Sequence, residues 1–235
     1  METNTLNVFG PERFLENECF GQEDFLLDFP SVSHSNLLYI NAFLDGNEGT
    51  FGHSLLVANY TLAFLRALGI KDREFFLLML RGSLLHDIGK LAIPKSILRK
   101  PGPLSESERE IVKKHPIIGY RMIEKFAFLK KAAAVVLFHH ENYDGTGYPF
   151  GLTAQEIPFP ARVFSLVDTL DALTSDRSYR KGTDFEGAFD EIKRGSGTQF
   201  DPLLSEVFLS ISLERWKRIK VRTQEKYRFV RECGL

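Results

Sequence analysis

From residue 53 onward the apolar residues keep helical time. Leu55, Leu56, Tyr60, Leu62, Phe64, Leu65 and Leu68 fall at three- and four-residue steps, the spacing of a 3.6-residue helix. The pattern returns in segment after segment to about residue 219. No stretch shows the polar–apolar alternation, bounded by turns, of a half-buried strand. The chain is therefore expected to be all-α, a single compact multi-helix domain.

Local signals set the expected helix limits. Gly69 stops the first helix, over 53–68. Asp72 caps the next, with Glu74 in its first turn, and that helix runs to about Ile88 before Gly89. LAIPKSILRKPGP carries three prolines and reads as a loop. Ser105 with Glu108 is a capping-box pattern, and Pro116 suits the first turn of a further helix. Helices are expected over 129–140, 160–176, about 184–194 and 202–219. ENYDGTGYPFGL, with Gly145, Gly147 and Gly151, reads as a long loop. Residues 1–50 mix short apolar runs with acidic residues. They read as short helices and loops forming an N-terminal extension, with the main domain over 51–235.

Composition narrows the function classes. Thirty Lys and Arg against 31 Asp and Glu leave a net charge of -1, so no overall field steers the chain to DNA, RNA or an anionic membrane. No apolar run is long enough to cross a bilayer, and the N-terminal residues lack the apolar core of a secretion signal. Cys19 and Cys233, near opposite ends, form neither a disulfide framework nor a zinc cluster. A cytoplasmic protein with reduced thiols is expected. The 21 phenylalanines against one tryptophan point to an aromatic core.

The histidines carry the chemistry. His86 precedes Asp87 at a helix end in LLHDIGK, and His139 and His140 are adjacent at another helix end, before Glu141. His53 and His115 sit at further helix starts, while His34 lies in a polar run that reads as surface. Asp168 and Asp171, three apart in FSLVDTLDAL, share a face of an apolar helix; Asp171 is the better candidate for a structural partner. Taken singly, each has an ordinary explanation as a cap or a packed side chain. Together, five imidazoles and two carboxylates on successive helices form a donor set that suits iron, manganese or zinc. A bundle can aim such ligands into a central cleft. More than four ligands suggests more than one ion, and paired ions that activate a bridging water are a standard device for cleaving phosphoesters.

LLHDIGKLAIP, HPIIGY, FHHENYDGTGYPFGL and DTLDALTSDRSYR, with GTQFDP at 197–202, resemble the HD-GYP domain, a branch of the HD metal-dependent phosphohydrolases. Order and spacing agree from His53 to about Phe208, roughly two-thirds of the chain. The resemblance implies an HD-type bundle with a central metal cleft and two or three ions of iron or manganese. It also implies hydrolysis of the bacterial second messenger cyclic di-GMP to linear pGpG, with onward cleavage to GMP left open. By position, the implied metal ligands are His53, His86, Asp87, His115, His139, His140 and Asp168, with Asp87 bridging and a bridging hydroxide as the nucleophile. Lys90 would contact a phosphate and assist the leaving group. Tyr148 would face the substrate, and Arg177 and Arg180 would bind phosphate or a guanine edge. A homodimer or signalling partners are compatible with this reading.

The chain departs from the family at one position. Three-metal members carry a Glu four residues before the first ligand histidine; here that residue is Gly49, and Glu48 is one further back. A one-residue shift on a helix rotates a side chain by about 100°. Glu48 reaches the centre only if residues 45–52 are loop, as Gly46, Gly49 and Gly52 favour, so the third ion stays open. Two other functions stay open beside the phosphodiesterase: a cyclic di-GMP sensor with little turnover, and an HD phosphohydrolase of another nucleotide.

Overall fold

The computed structural model describes residues 52–176 and 181–232. Its helices are α1 (His53–Ala67), α2 (Arg73–Leu85), α3 (Lys95–Leu98), α4 (Glu106–Val112), α5 (His115–Ile123) and α6 (Ala133–Phe138). They continue with α7 (Phe159–Thr174), α8 (Phe185–Arg194), α9 (Pro202–Ser210) and α10 (Leu213–Glu232). Short 3₁₀ helices occupy Ile88–Ala92 and Ala154–Glu156. Among the described residues there is no strand, only two isolated bridges, and the all-α expectation holds. No described helix is long and apolar enough to cross a membrane.

α1 is the axis of the molecule, buried from Ser54 to Phe64 and Leu65. One side, with Leu56, Tyr60 and Phe64, enters a core shared with α7, α8, α9 and α10; Leu55, Ala58 and Leu62 enter a second core with α2 and α6. The first is aromatic, as the phenylalanine count suggested. Phe208 stacks on Trp216 at 4.7 Å and meets Phe64 edge-on at 5.1 Å, while Tyr60 meets Trp216 edge-on at 5.2 Å. A helix clamped on both sides holds its first residue, His53, in a fixed place.

The capping signals are realised. The Asp72 side chain accepts from Glu74 N, and Ser105 and Glu108 close a capping box. A cap not read from the sequence starts α8, where Asp184 accepts from Gly187 N. Three expected elements differ. α2 ends at Leu85, where His86 Nδ1 donates to the Ser83 carbonyl and the chain tightens into the 3₁₀ helix, so LAIPKSILRKPGP is partly helical rather than all loop. The helix expected from residue 129 starts at Ala133. The Arg81 guanidinium occupies the Phe128 carbonyl, the acceptor that Ala132 would need in a longer helix. The helix expected over 202–219 is two, broken at buried Ile211, with Ser212 Oγ accepting from Arg215 N to start α10.

Two glycines let the segments that bear the site meet. Gly89, just after His86 and Asp87, lies against α5 so closely that a Cβ would fall 1.9 Å from the His115 carbonyl oxygen. Its partner is Gly119 one turn along α5, where a Cβ would lie 3.1 Å from Gly89 N. This bare crossing brings Asp87 beside His115.

Candidate metal centre

Seven side chains converge on one cleft in two groups. Asp87, His115, His139 and His140 form one; His53, His86 and Asp168 form the other; within each, a ligand atom from every member lies within 4.8 Å of the others. These are the seven residues singled out from the sequence. α1 supplies His53, the end of α2 supplies His86 and Asp87, α5 supplies His115, the end of α6 supplies His139 and His140, and α7 supplies Asp168.

The imidazoles are aimed by their outer nitrogens. His86, His115 and His139 each use Nδ1 to donate to the carbonyl three residues earlier: Ser83 at 2.8 Å, Val112 at 2.7 Å and Val136 at 3.0 Å. A carbonyl can only accept, so Nδ1 carries the proton and Nε2 turns inward as a potential ligand. His53 does the same through a carboxylate: its Nδ1 lies 2.5 Å from Asp171 Oδ2. Asp171 is thus the partner of a histidine and not a member of either group. Its buried carboxyl would be raised by desolvation, but the His53 contact holds it below the usual range.

Inside the cleft, Nε2 of His53 faces Nε2 of His86 at 3.3 Å, and Nε2 of His115 faces Nε2 of His139 at 3.2 Å. Two neutral imidazoles presenting lone pairs to each other repel; a shared proton or a cation removes the conflict. A buried ring of inward Nε2 atoms beside carboxylates fits a divalent ion in each group.

Asp87 stands between the groups. Its Oδ2 is 3.0 Å from His86 Nε2, and its Oδ1 is 3.1 Å from His115 Nε2 and 3.7 Å from His139 Nε2. One carboxylate oxygen faces each group. Burial would raise Asp87, but His86, Lys90 and the hydrogen bonds from His115 and His139 keep it well below the carboxylate range. Lys90 Nζ is 2.6 Å from Oδ2, so this cation lies beside the centre and not merely at a helix end.

The two groups differ in proton affinity. Burial lowers His53, but the Asp171 hydrogen bond and the nearby carboxylates outweigh it and raise His53 to about 9. His139 is lowered to about 4 by burial and by neighbouring histidines, and His140 falls well below its ordinary value for the same reasons.

Beside the centre is a cleft of about 290 Å³ lined by His140, Tyr148 and Asp168, with Asn142, Thr169 and Gln199 among its polar walls. Tyr148 stacks on His140 at 4.6 Å, and burial raises its phenol above the ordinary value. Glu141 explains how the loop is held. Its buried carboxylate accepts the backbone N–H groups of Phe150 at 2.8 Å and Leu152 at 3.0 Å. Gly147 packs where a Cβ would lie 2.2 Å from Asn142 N. The anchoring role of Glu141 was missed in the sequence, although its place directly after two histidines was a signal. Arg177, Arg180 and Glu48 lie outside the described residues.

Residues 38–204 match the HD domain model, and the chain belongs to the HD domain family. It is 39% identical over 144 residues to the cyclic di-GMP phosphodiesterase response regulator RpfG of Xanthomonas campestris, covering 60% of this chain and 38% of that one. It is 39% identical over 188 residues to a cyclic di-GMP phosphodiesterase of Pseudomonas aeruginosa, covering 76% of this chain and 44% of the relative. The chain thus matches less than half the length of each. Among solved structures, a cyclic GMP-AMP specific phosphodiesterase of Vibrio cholerae superposes with a TM-score of 0.55 over 79% of this chain and 52% of that one, at 19% identity. That likeness supports the all-α HD fold.

Proposed function

We propose that the chain is a metal-dependent phosphodiesterase of the HD-GYP type that hydrolyses cyclic di-GMP to linear pGpG. The observation that carries this reading is Asp87, one oxygen toward each ligand group. The names of the curated relatives supply the substrate. His53, His86 and Asp168 would hold one ion and His115, His139 and His140 the other, with Asp87 shared; iron or manganese suits these donors. When bound, the ions lower the pKa of a water held between them and neutralise charge on the phosphate oxygens.

The chain's own groups do the rest. Asp87, kept ionised by its surroundings, offers an anionic oxygen to both sides. Lys90, beside it, brings a cation to the edge of the centre, placed to pair with a phosphate oxygen and to supply a proton to the departing sugar oxygen. Tyr148 and the polar wall of the cleft contact the nucleoside, and Arg177 and Arg180 bind phosphate or a guanine edge. Residues 51–235 form the catalytic unit, residues 1–50 an extension, and the protein works in the cytoplasm. A third ion held with the help of Glu48 is not part of this assignment.

The test is incubation of manganese- or iron-loaded protein with cyclic di-GMP, and in parallel with 3'3'-cyclic GMP-AMP, followed by chromatography of the products. Linear pGpG formed faster than the cyclic GMP-AMP product supports the assignment. Preference for the mixed dinucleotide overturns the substrate, and tight binding without cleavage makes the chain a sensor.

A further inference from the structure

A directed chain of hydrogen bonds joins α10 to the metal centre. Lys220, half-buried on α10, donates to the Thr174 carbonyl at 2.8 Å, to Thr174 Oγ1 at 3.1 Å and to Ser175 Oγ at 2.9 Å. An ammonium group has three N–H bonds and no lone pair, so every hydrogen is used and each contact runs outward from lysine. Ser175 Oγ, accepting from Lys220, turns its own hydrogen to Asp171 Oδ1 at 2.7 Å. Asp171 spends its other oxygen on His53 Nδ1–H at 2.5 Å. His53 then presents Nε2 to His86 at 3.3 Å and to Asp168 Oδ1 at 3.4 Å. Each donor and acceptor along the route is fixed by the one before it.

The packing of α10 places Lys220 on this route. Trp216 and Ile219 are buried on α10, and Thr223 accepts from Asn59 of α1 at 3.0 Å, so the inner face of α10 is tied to the axis helix and Lys220 lies at its edge. A lysine at the end of α7 would ordinarily serve as a cap for the last carbonyls. The Thr174 contacts meet that need. The Ser175 contact is superfluous for a cap, and it alone leads to Asp171.

We propose that Lys220 is a positioning residue for the His53 half of the metal centre, acting through Ser175 and Asp171 to fix the orientation and tautomer of His53. Partners one step beyond metal ligands set affinity by roughly ten- to a hundredfold. The inference rests on the two-ion reading above, and it makes the ion held by His53, His86 and Asp168 sensitive to a residue 167 positions away in the chain.

The experiment uses the full chain and manganese alone. Metal-free protein is titrated with Mn2+ by calorimetry, and retained ions are counted after dialysis against a competing chelator. The variants are Lys220→Met, Lys220→Arg and Ser175→Ala. Ser175→Ala cuts the route while leaving the Lys220–Thr174 cap in place, so it separates the two roles even if Lys220→Met folds poorly. Expected is a parent with two ions, and a Ser175→Ala protein in which one ion is weakened about ten- to a hundredfold, the other kept, and the metal-free unfolding temperature nearly unchanged. Lys220→Arg, which keeps charge and donors, stays closer to the parent than Lys220→Met. A parent with two ions and a Ser175→Ala protein that holds both with parental affinity overturns the role of Lys220 alone. A parent that binds no ion overturns the metal centre itself.

Discussion

His53 Nδ1 sits 2.5 Å from Asp171 Oδ2, a contact between the first residue of α1 and the inner face of α7. It sets a pH dependence. In the metal-free protein His53 titrates at about 9, so at pH 7 its Nε2 holds a proton at the atom that faces His86 and Asp168. An ion entering there must expel it. Manganese affinity at this half therefore rises with pH, by about tenfold per unit for each proton expelled, and levels off once His53 and His86, which, against burial, Asp87 also raises, are neutral. His139, at about 4, is already neutral and adds no slope there. Asp171→Asn removes the charge that holds the proton and should flatten the rise. The same shift stabilises the metal-free fold: raised above the ordinary 6.5, His53 contributes fully below about pH 6.5 and loses that contribution as pH climbs through about 9. Calorimetric titrations across pH 7–9 check the first effect, and denaturation of metal-free protein across the same range checks the second.

Asp87→Ala removes the carboxylate that, among the described residues, has an oxygen toward each of the two groups. Metal content should fall from two ions toward none. Hydrolysis should drop on the order of a thousandfold, since paired ions contribute several kcal/mol to transition-state charge. Circular dichroism should stay helical. Parental metal content in this variant would contradict the bridging role.

Glu141→Ala leaves the backbone N–H groups of Phe150 and Leu152 without their acceptor. Each hydrogen bond to a charged group contributes about 1.5–3 kcal/mol, so the loop bearing Tyr148 should loosen. KM for cyclic di-GMP is expected to rise roughly tenfold with both ions retained. Unchanged KM would mean that the loop keeps its place without this anchor.

Arg177→Ala and Arg180→Ala address substrate recognition. A hydrogen bond to a charged group contributes about 1.5–3 kcal/mol, so dinucleotide binding should weaken roughly ten- to a hundredfold. Ion counts should not change. Parental binding in both variants would leave these arginines as solvated charges.

Much of this arrangement was legible in the sequence. The helix-end histidines and the aspartates on apolar helices were visible as candidates from periodicity and capping, and the resemblance to the HD-GYP domain picked out the seven that group. Asp171 was legible as a structural partner because an aspartate on an apolar helix face needs a cap, a partner or a metal. What local pattern could not show was competition for backbone carbonyls. Arg81 takes the Phe128 carbonyl and delays α6, and His86 takes the Ser83 carbonyl and ends α2 early. Both depend on side chains meeting carbonyls in a folded context. Lys220 and Ser175 were invisible for a related reason: their route to His53 exists only after α10 packs against α1 and α7.

The central claim is a two-ion centre divided by Asp87, and anomalous X-ray scattering from crystals of the protein, recorded at the iron and manganese edges, tests it most directly. The account predicts two peaks, one bounded by His53, His86 and Asp168 and the other by His115, His139 and His140, with the Asp87 carboxylate between them. A single peak, or peaks that leave Asp87 outside the coordination of both ions, would contradict it.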